Sequence, residues 1–300
     1  MTLIEQIAPG ALGPGLTSAA VFTTAALLAR HKGAGPLREM GTALAVAAGF
    51  AVGFAVVLGW PQLPPEAKDD AWAWVAWFAV GGWLLGWLEC LPRVPPLLRI
   101  LVRAGASLLA AWLLVRPLAA FSDDVKLRVV LGGAAVLVLL WSVAAETARR
   151  SVEPGRVALP FLVAAGTGAA VLAFQAGSLS LGQTMGSLSA ALGAAFVLGL
   201  LFRIPAASPG TAPVIALVFG GLLLGAYTTL NYGDSIHFPL ASALLIALGA
   251  VSGALLPGLL PSRAGTVARL VVASLVPLLA VAAAAAIAHA NAPAPNPYGG

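Results

Sequence analysis

The chain has 300 residues, of which 60% are hydrophobic and 9% charged, with a net charge of +5 and a mean hydropathy of +0.97. Because soluble domains carry about 25% charged residues, this composition excludes an ordinary soluble domain and predicts an all-α integral membrane protein. The sixteen basic residues form no basic run, which argues against a nucleic-acid partner. The single cysteine, Cys90, excludes an intramolecular disulfide and any site built from several cysteines.

Ten apolar stretches follow one another along the chain, each near the roughly 20 residues that a helix needs to cross a bilayer. The first lacks the basic start of a signal peptide, so we expect it to be retained. The ten predicted transmembrane helices cover 11–29, 41–60, 71–89, 99–119, 128–147, 157–177, 183–202, 211–231, 236–259 and 267–289.

The basic residues fix the predicted orientation. Twelve of the sixteen Lys and Arg fall at the joints that follow the odd-numbered spans. Since short loops rich in Lys and Arg stay in the cytoplasm, both termini are expected outside. The heavy use of Ala, Gly, Val and Arg suggests a bacterial cytoplasmic (inner) membrane. Expected partners are the lipid bilayer, a small-molecule solute and a further copy of this chain.

Short matches suggest an internal repeat. GGWLLGW at 81–87 resembles GGLLLGA at 220–226, and Val75 and Val214 precede them at the same offset. MGTALAVAAGFAVG, which begins at Met40 in span two, resembles MGSLSAALGAAFVLG, which begins at Met185 in span seven. The sequence therefore predicts that the third and eighth spans are equivalent and related by a pseudo-two-fold axis in the membrane plane.

Five spans in each half make the two halves opposite in orientation, because an odd number of crossings reverses the start. The predicted units are a first five-helix repeat at 1–147, a second at 148–290 and a flexible external tail at 291–300. An inverted repeat of this 5+5 kind gives a physical route to alternating access. Duplication that serves only stability is the alternative.

Charged side chains inside a span are the strongest functional signals in a membrane protein. Glu89 with Arg93, and Glu146 with Arg150, have the i, i+4 spacing of helix ion pairs. Each pair is predicted to be either an interface ion pair or a gate. Arg103 is placed near a span end, where its long side chain can reach the headgroups.

Small and neutral residues supply the candidates for a substrate path. Close packing of two helices requires a small residue about every fourth position on one helix face. Gly82 and Gly86 already form such a face, so they are assigned to packing. Gly81 points away from that face and Gly220 is placed likewise, so these two glycines are predicted to border a cavity or to form a hinge. Pro277 is expected to kink the last span. The complete predicted path consists of Gly81, Gly82, Gly220, Gly221, Pro277, Thr228 and Gln175, with packing or interhelical hydrogen bonding as the alternative for each.

Enzyme motifs and clusters of metal ligands are absent from the sequence, so no catalytic residue, metal or cofactor is expected. In length and span number the chain resembles the drug/metabolite transporter superfamily, which is also built from five-plus-five inverted repeats; its sequence signatures are missing, so no residue role is carried over. We predict a small-solute permease or exporter that works by alternating access. The alternative is a non-transporting membrane subunit or assembly factor that binds a protein partner.

Overall fold

The computed structural model describes a bundle of helices joined by short connections. The described residues are 3–32, 36–60, 73–116, 122–150, 156–231, 238–261 and 265–291, with the side chains of 3–10 and 29–38 excepted. The predicted tail falls outside these residues, apart from Asn291. The helices are α1 (Leu3–Lys32), α2 (Pro36–Leu58), α3 (Trp74–Cys90), α4 (Pro96–Val115), α5 (Asp123–Arg150), α6 (Ala158–Ala170), α7 (Leu179–Phe202), α8 (Ala212–Leu230), α9 (Leu240–Leu255) and α10 (Thr266–Ala290).

Nine candidate spans among the described residues are long and apolar enough to cross a membrane; α3 is a shorter apolar helix of 17 residues. Each of the ten predicted spans overlaps one of the ten described helices, although the ends differ by up to eight residues. The described chain contains helices and joints but no strand, as expected for backbone that must satisfy its own hydrogen bonds in lipid. A π-helical turn, Val171–Gln175, extends α6.

Helix α8 lies at the centre of the bundle and packs against α3, α4, α5, α7 and α9. In its span, 78% of the residues are buried, against 22% in α1 and α10. The sequence of α8 has no charged residue and is apolar on every side, which is the pattern of a helix surrounded by other helices. The more exposed α1 packs on α2 and α7, and α10 packs on α9 and α6.

The contact between α3 and α8 is reciprocal. A Cβ atom added at Gly82 would lie 2.9 Å from Val214 Cα, and one added at Gly221 would lie 3.5 Å from Val75 Cγ2. In the proposed repeat, Val75 corresponds to Val214 and Gly82 corresponds to Gly221. Gly82 of α3 packs on Val214 of α8, and Gly221 of α8 packs on Val75 of α3, so the two contacts are equivalent. Such mutual pairing is what a two-fold axis between two elements produces.

Other helix pairs follow the proposed repeat only in part. The α1–α2 and α4–α5 pairs have counterparts in α6–α7 and α9–α10. By contrast, α1 packs extensively on α7, and no comparable packing of α6 on α2 occurs among the described residues. The inverted repeat therefore stays a prediction.

The joint between α7 and α8 is built by local signals. Helix α7 ends at Phe202, and the next residue, Arg203, has a left-handed backbone (φ 55°) that turns the chain. A short 3-10 turn, Pro209–Thr211, then leads directly into α8. Within it, Ser208 and Thr211 form a reciprocal capping arrangement of side-chain and backbone hydrogen bonds. This joint forms one wall of the cavity described below.

Candidate functional site

A buried group of charges joins three helices at one end of the bundle. Glu89 ends α3, Arg103 lies in the second turn of α4, and Glu146 and Arg149 lie in the last turns of α5. We call these four residues the ionic cluster. The side chains of Glu89 and Arg103 are only 3% and 6% exposed, while that of Glu146 is 45% exposed.

Glu89 is the centre of the ionic cluster. Arg103 binds its carboxylate in a two-point arrangement, with Nε 2.8 Å from Oε1 and Nη2 3.0 Å from Oε2. Arg149 Nη2 donates to Oε2, and the indole Nε1 of Trp141 donates to Oε1 at 2.9 Å. A carboxylate removed from water is stable only when its oxygens are matched in this way. Glu89 thus holds α3, α4 and α5 together.

Glu146 completes the cluster from the more exposed side. Its Oε1 lies 3.3 Å from Arg103 Nη2 and 2.5 Å from Arg149 Nη1. Arg103 Nη1 also donates to Ser142 Oγ at 3.3 Å. Two arginines face two glutamates, so the cluster has no net charge.

These contacts correct the predicted ion pairs. Arg93 and Arg150 are exposed and form no salt bridge with any described residue. Glu89 pairs instead with Arg103 and Arg149, and Glu146 pairs with the same two arginines. The i, i+4 rule failed because it considers one helix only. Arg103 was also misplaced at a span end, since it is buried inside α4.

A polar cavity of about 470 Å³ lies beside the ionic cluster. The ends of α2, α3, α4 and α5 and the α7–α8 joint line it. Its polar lining residues are Glu39, Thr42, Glu89, Cys90, Arg99, Arg149 and Ser208. We call this space the polar cavity. Of its polar lining residues, only Glu89 was predicted from the sequence as a candidate site residue.

Hydroxyl groups fix the wall between α2 and the α7–α8 joint. Ser208 Oγ donates to the carbonyl of Glu39 at 2.8 Å. The Thr42 hydroxyl lies 3.0 Å from Ser208 Oγ and 3.3 Å from Thr211 Oγ1. Thr42, Ser208 and Thr211 are buried. The backbone that carries Glu39 is therefore held against the start of α8.

A second cavity, of about 410 Å³, lies between α5, α8 and α9 toward the opposite end of the bundle. We call it the apolar cavity because Arg128 and Tyr227 are its only lining residues with a polar side chain among the described residues. Gly132, Gly133 and Gly220 form part of its surface. A Cβ atom at Gly132 would meet nothing within 4 Å.

The predicted path residues do not come together at one place. Gly220 borders the apolar cavity, although a Cβ there would also meet side-chain atoms of Leu137 and Leu140. Gly81 has open space where a Cβ would lie. Gly82 and Gly221 are the α3–α8 packing contacts described above.

The remaining three path residues lie away from both described cavities. Pro277 is buried against Gly249 and Gly253 of α9. Thr228 is buried, and its hydroxyl contacts the Leu224 and Gly225 carbonyls of its own helix. Gln175 is exposed at the end of the π-helical turn. Their assignment to a path remains a prediction.

Two features of the sequence could have indicated the missed residues. Arg103 lies well inside an apolar helix, where a charge demands a partner. Arg149 has the i, i+3 spacing to Glu146 that helix pairs use as readily as i, i+4. Glu39 and Ser208 carry no comparable signal because their meeting depends on distant parts of the chain.

No group of three or more His, Cys, Asp and Glu side chains within the described residues is arranged to hold a metal ion. No protein-family model, curated protein or solved structure matches this chain. Any function must therefore be argued from its own residues.

Proposed function

We propose that this protein is a small-solute permease or exporter of a bacterial inner membrane, rather than an enzyme. The observation that carries the proposal is the ionic cluster on the wall of the polar cavity. Ionisable side chains inside a membrane protein are costly, and they mark solute and ion pathways when they line a cavity. Here Glu89 and Arg149 form an ion pair with each other, and both also line the polar cavity.

The cluster is suited to act as a gate. Its ion pairs join α5 to α3 and α4 without a covalent link, and Glu146 is already half in contact with solvent. Separation of α5 from α3 would hydrate the charges and widen the polar cavity. In this proposal the packed α3–α8 crossing separates the two ends, and the ionic cluster closes one of them.

The reciprocal α3–α8 contact favours alternating access over a static channel. If the two halves are inverted copies, they can exchange conformations about this crossing and expose a site to each side in turn. The non-transporting subunit is the competing function, since a packed crossing and a structural ion cluster would suffice for it.

Uptake into proteoliposomes tests the proposal. Purified protein would be reconstituted and offered labelled amino acids, sugars, nucleosides, organic acids and amines. We expect at least one class to enter faster than into protein-free liposomes, and Glu146→Gln to change that rate because it removes a gate contact. Arg93→Gln, an exposed change at the same end, serves as the matched control.

Two results would count against this proposal. Protein that is folded by circular dichroism and gel filtration, yet moves no class of solute, would favour the non-transporting subunit. Uptake that Glu146→Gln and Arg93→Gln affect equally would remove the ionic cluster from the mechanism.

A further inference from the structure

Two charges on the wall of the polar cavity are not used by the ionic cluster. Glu39 at the start of α2 and Arg99 at the start of α4 both line the cavity. Neither forms a salt bridge with any residue in the described part of the chain. The neighbouring cluster is neutral, so the cavity presents one anion and one cation that have no ion-pair partner among the described side chains.

Both charges share one space with the end of α3. Glu39, Cys90 and Arg99 all line the polar cavity, and Arg99 Nη2 donates to the Leu91 carbonyl at 2.7 Å. This hydrogen bond ties the Arg99 guanidinium to the chain just after α3. A small molecule inside the cavity can therefore contact both Glu39 and Arg99.

Each group has capacity to bind a ligand. The Arg99 guanidinium donates to the Leu91 carbonyl through Nη2, and no hydrogen bond from its Nη1 to a described residue is formed, so it retains a donor suited to a carboxylate. The backbone of Glu39 is held in place because its carbonyl accepts a hydrogen bond from Ser208 Oγ. Its carboxylate can accept from an ammonium group without rearrangement of the backbone.

We propose that the polar cavity binds a small zwitterion, with the carboxylate of the ligand at Arg99 and its ammonium group at Glu39. This inference rests on the proposed permease function and names its class of solute. A volume of about 470 Å³ accommodates an amino acid, since ligand sites span roughly 300–1,000 Å³. A ligand with one charge would leave either Glu39 or Arg99 uncompensated.

Direct binding to the full-length protein tests this site. Purified wild-type protein in detergent would be heated with glycine, L-alanine or L-leucine, and separately with L-alanine methyl ester and N-acetyl-L-alanine. These two derivatives keep only the cation or only the anion of L-alanine. We expect at least one zwitterion to raise the unfolding midpoint and to be retained by the protein in equilibrium dialysis, because the cavity holds both of its charges.

The derivatives of the bound zwitterion should bind about tenfold more weakly, which is the scale of one lost hydrogen bond to a charged group. Two variants should change the preference instead of merely abolishing binding. Glu39→Gln removes the site for the ammonium group, so the N-acetyl derivative should bind as well as the zwitterion. In the Arg99→Gln variant, the methyl ester should bind as tightly as the zwitterion. Arg93→Gln is the matched control and should keep the wild-type order.

Failure of this inference is distinguishable from failure of the proposed function. Zwitterion binding without uptake of any solute would uphold the site and contradict the permease. Uptake of a solute with one charge or none, unaffected by Glu39→Gln and Arg99→Gln, would uphold the permease and overturn the zwitterion site. The site is also overturned if no zwitterion of the series changes either readout through the millimolar range.

Discussion

The two ends of the bundle differ in chemistry although similar helices build them. At one end, the ionic cluster and the polar cavity bring together charges from α2, α3, α4 and α5. At the other, the apolar cavity between α5, α8 and α9 is lined almost entirely by aliphatic side chains and glycine. Helix α5 contributes to both, with paired charges at its end and glycines near its start.

This difference shows that similar apolar helices need not produce equivalent sites at the two ends of a bundle. An inverted repeat would give both ends related backbones, but the side chains decide which end can bind a charged solute. Here only the polar cavity combines fixed opposite charges with a matched ion network among the described residues. Four experiments can break or sharpen the contrast.

The largest effect is expected from an experiment that asks which side of the membrane the polar cavity faces, because cysteine labelling from one side is nearly all-or-none. If the polar cavity faces the cytoplasm, as the distribution of Lys and Arg predicts, a membrane-impermeant maleimide should modify a Cys90→Ala/Arg93→Cys variant, whose label position is exposed at the same end, in inside-out vesicles only. A Cys90→Ala/Ser180→Cys variant should react in right-side-out vesicles only. The opposite pattern would reverse the orientation, and equal labelling from both sides would contradict the separation of the two ends. Residue 35, on the joint predicted to be cytoplasmic, lies outside the described residues.

Loss of the Glu89 carboxylate should cause the largest change in stability. Glu89→Gln leaves Arg103 and Arg149 with one carboxylate between them, and breaking a buried ion pair costs about 3–5 kcal/mol. Glu146→Gln should cost about 1 kcal/mol because that side chain is half exposed. The free energy of unfolding, measured by titration with sodium dodecyl sulfate, gives both values. Equal losses in the two variants would show that the burial of an ion pair does not determine its contribution to the free energy of unfolding.

The α3–α8 crossing offers a pair of neighbouring glycines as an internal control. Gly82→Ala would place a methyl group 2.9 Å from the Val214 backbone and should destabilise by about 1–3 kcal/mol. Gly81→Ala meets nothing within 4 Å and should leave stability unchanged or raise it by about 1 kcal/mol. The same titration measures both. Comparable losses at the two positions would mean that Gly81 also packs against a helix.

The smallest effect is expected at the apolar cavity. Gly132→Leu places its Cβ in open space, so the free energy of unfolding should stay unchanged or rise by about 1 kcal/mol, as for Gly81→Ala. Gly133→Leu is the matched variant, because a Cβ there would lie 2.7 Å from Leu224 Cδ2, and it should destabilise more. Neither should alter the thermal shift produced by a zwitterion. A change in that shift for Gly132→Leu would show that the two ends are coupled.

Much of the fold could be predicted because long apolar stretches leave a chain in lipid little choice except helices. The α3–α8 contact was also within reach, since Gly82 and Gly86 allow close approach of two backbones. The partners of Glu89 were not, because Arg103 and Arg149 come from two other helices whose rotation the sequence does not fix. Likewise, nothing near Ser208 in the sequence indicates that it meets Glu39.

The central position of α8 has a consequence for biogenesis. All four residues of the ionic cluster lie between Glu89 and Arg149 and precede α8 in the chain. Because synthesis proceeds from the N-terminus, α3, α4 and α5 can be joined by their charges before the ribosome has made their central neighbour. Helix α8 can then pack against three helices that are already joined at one end.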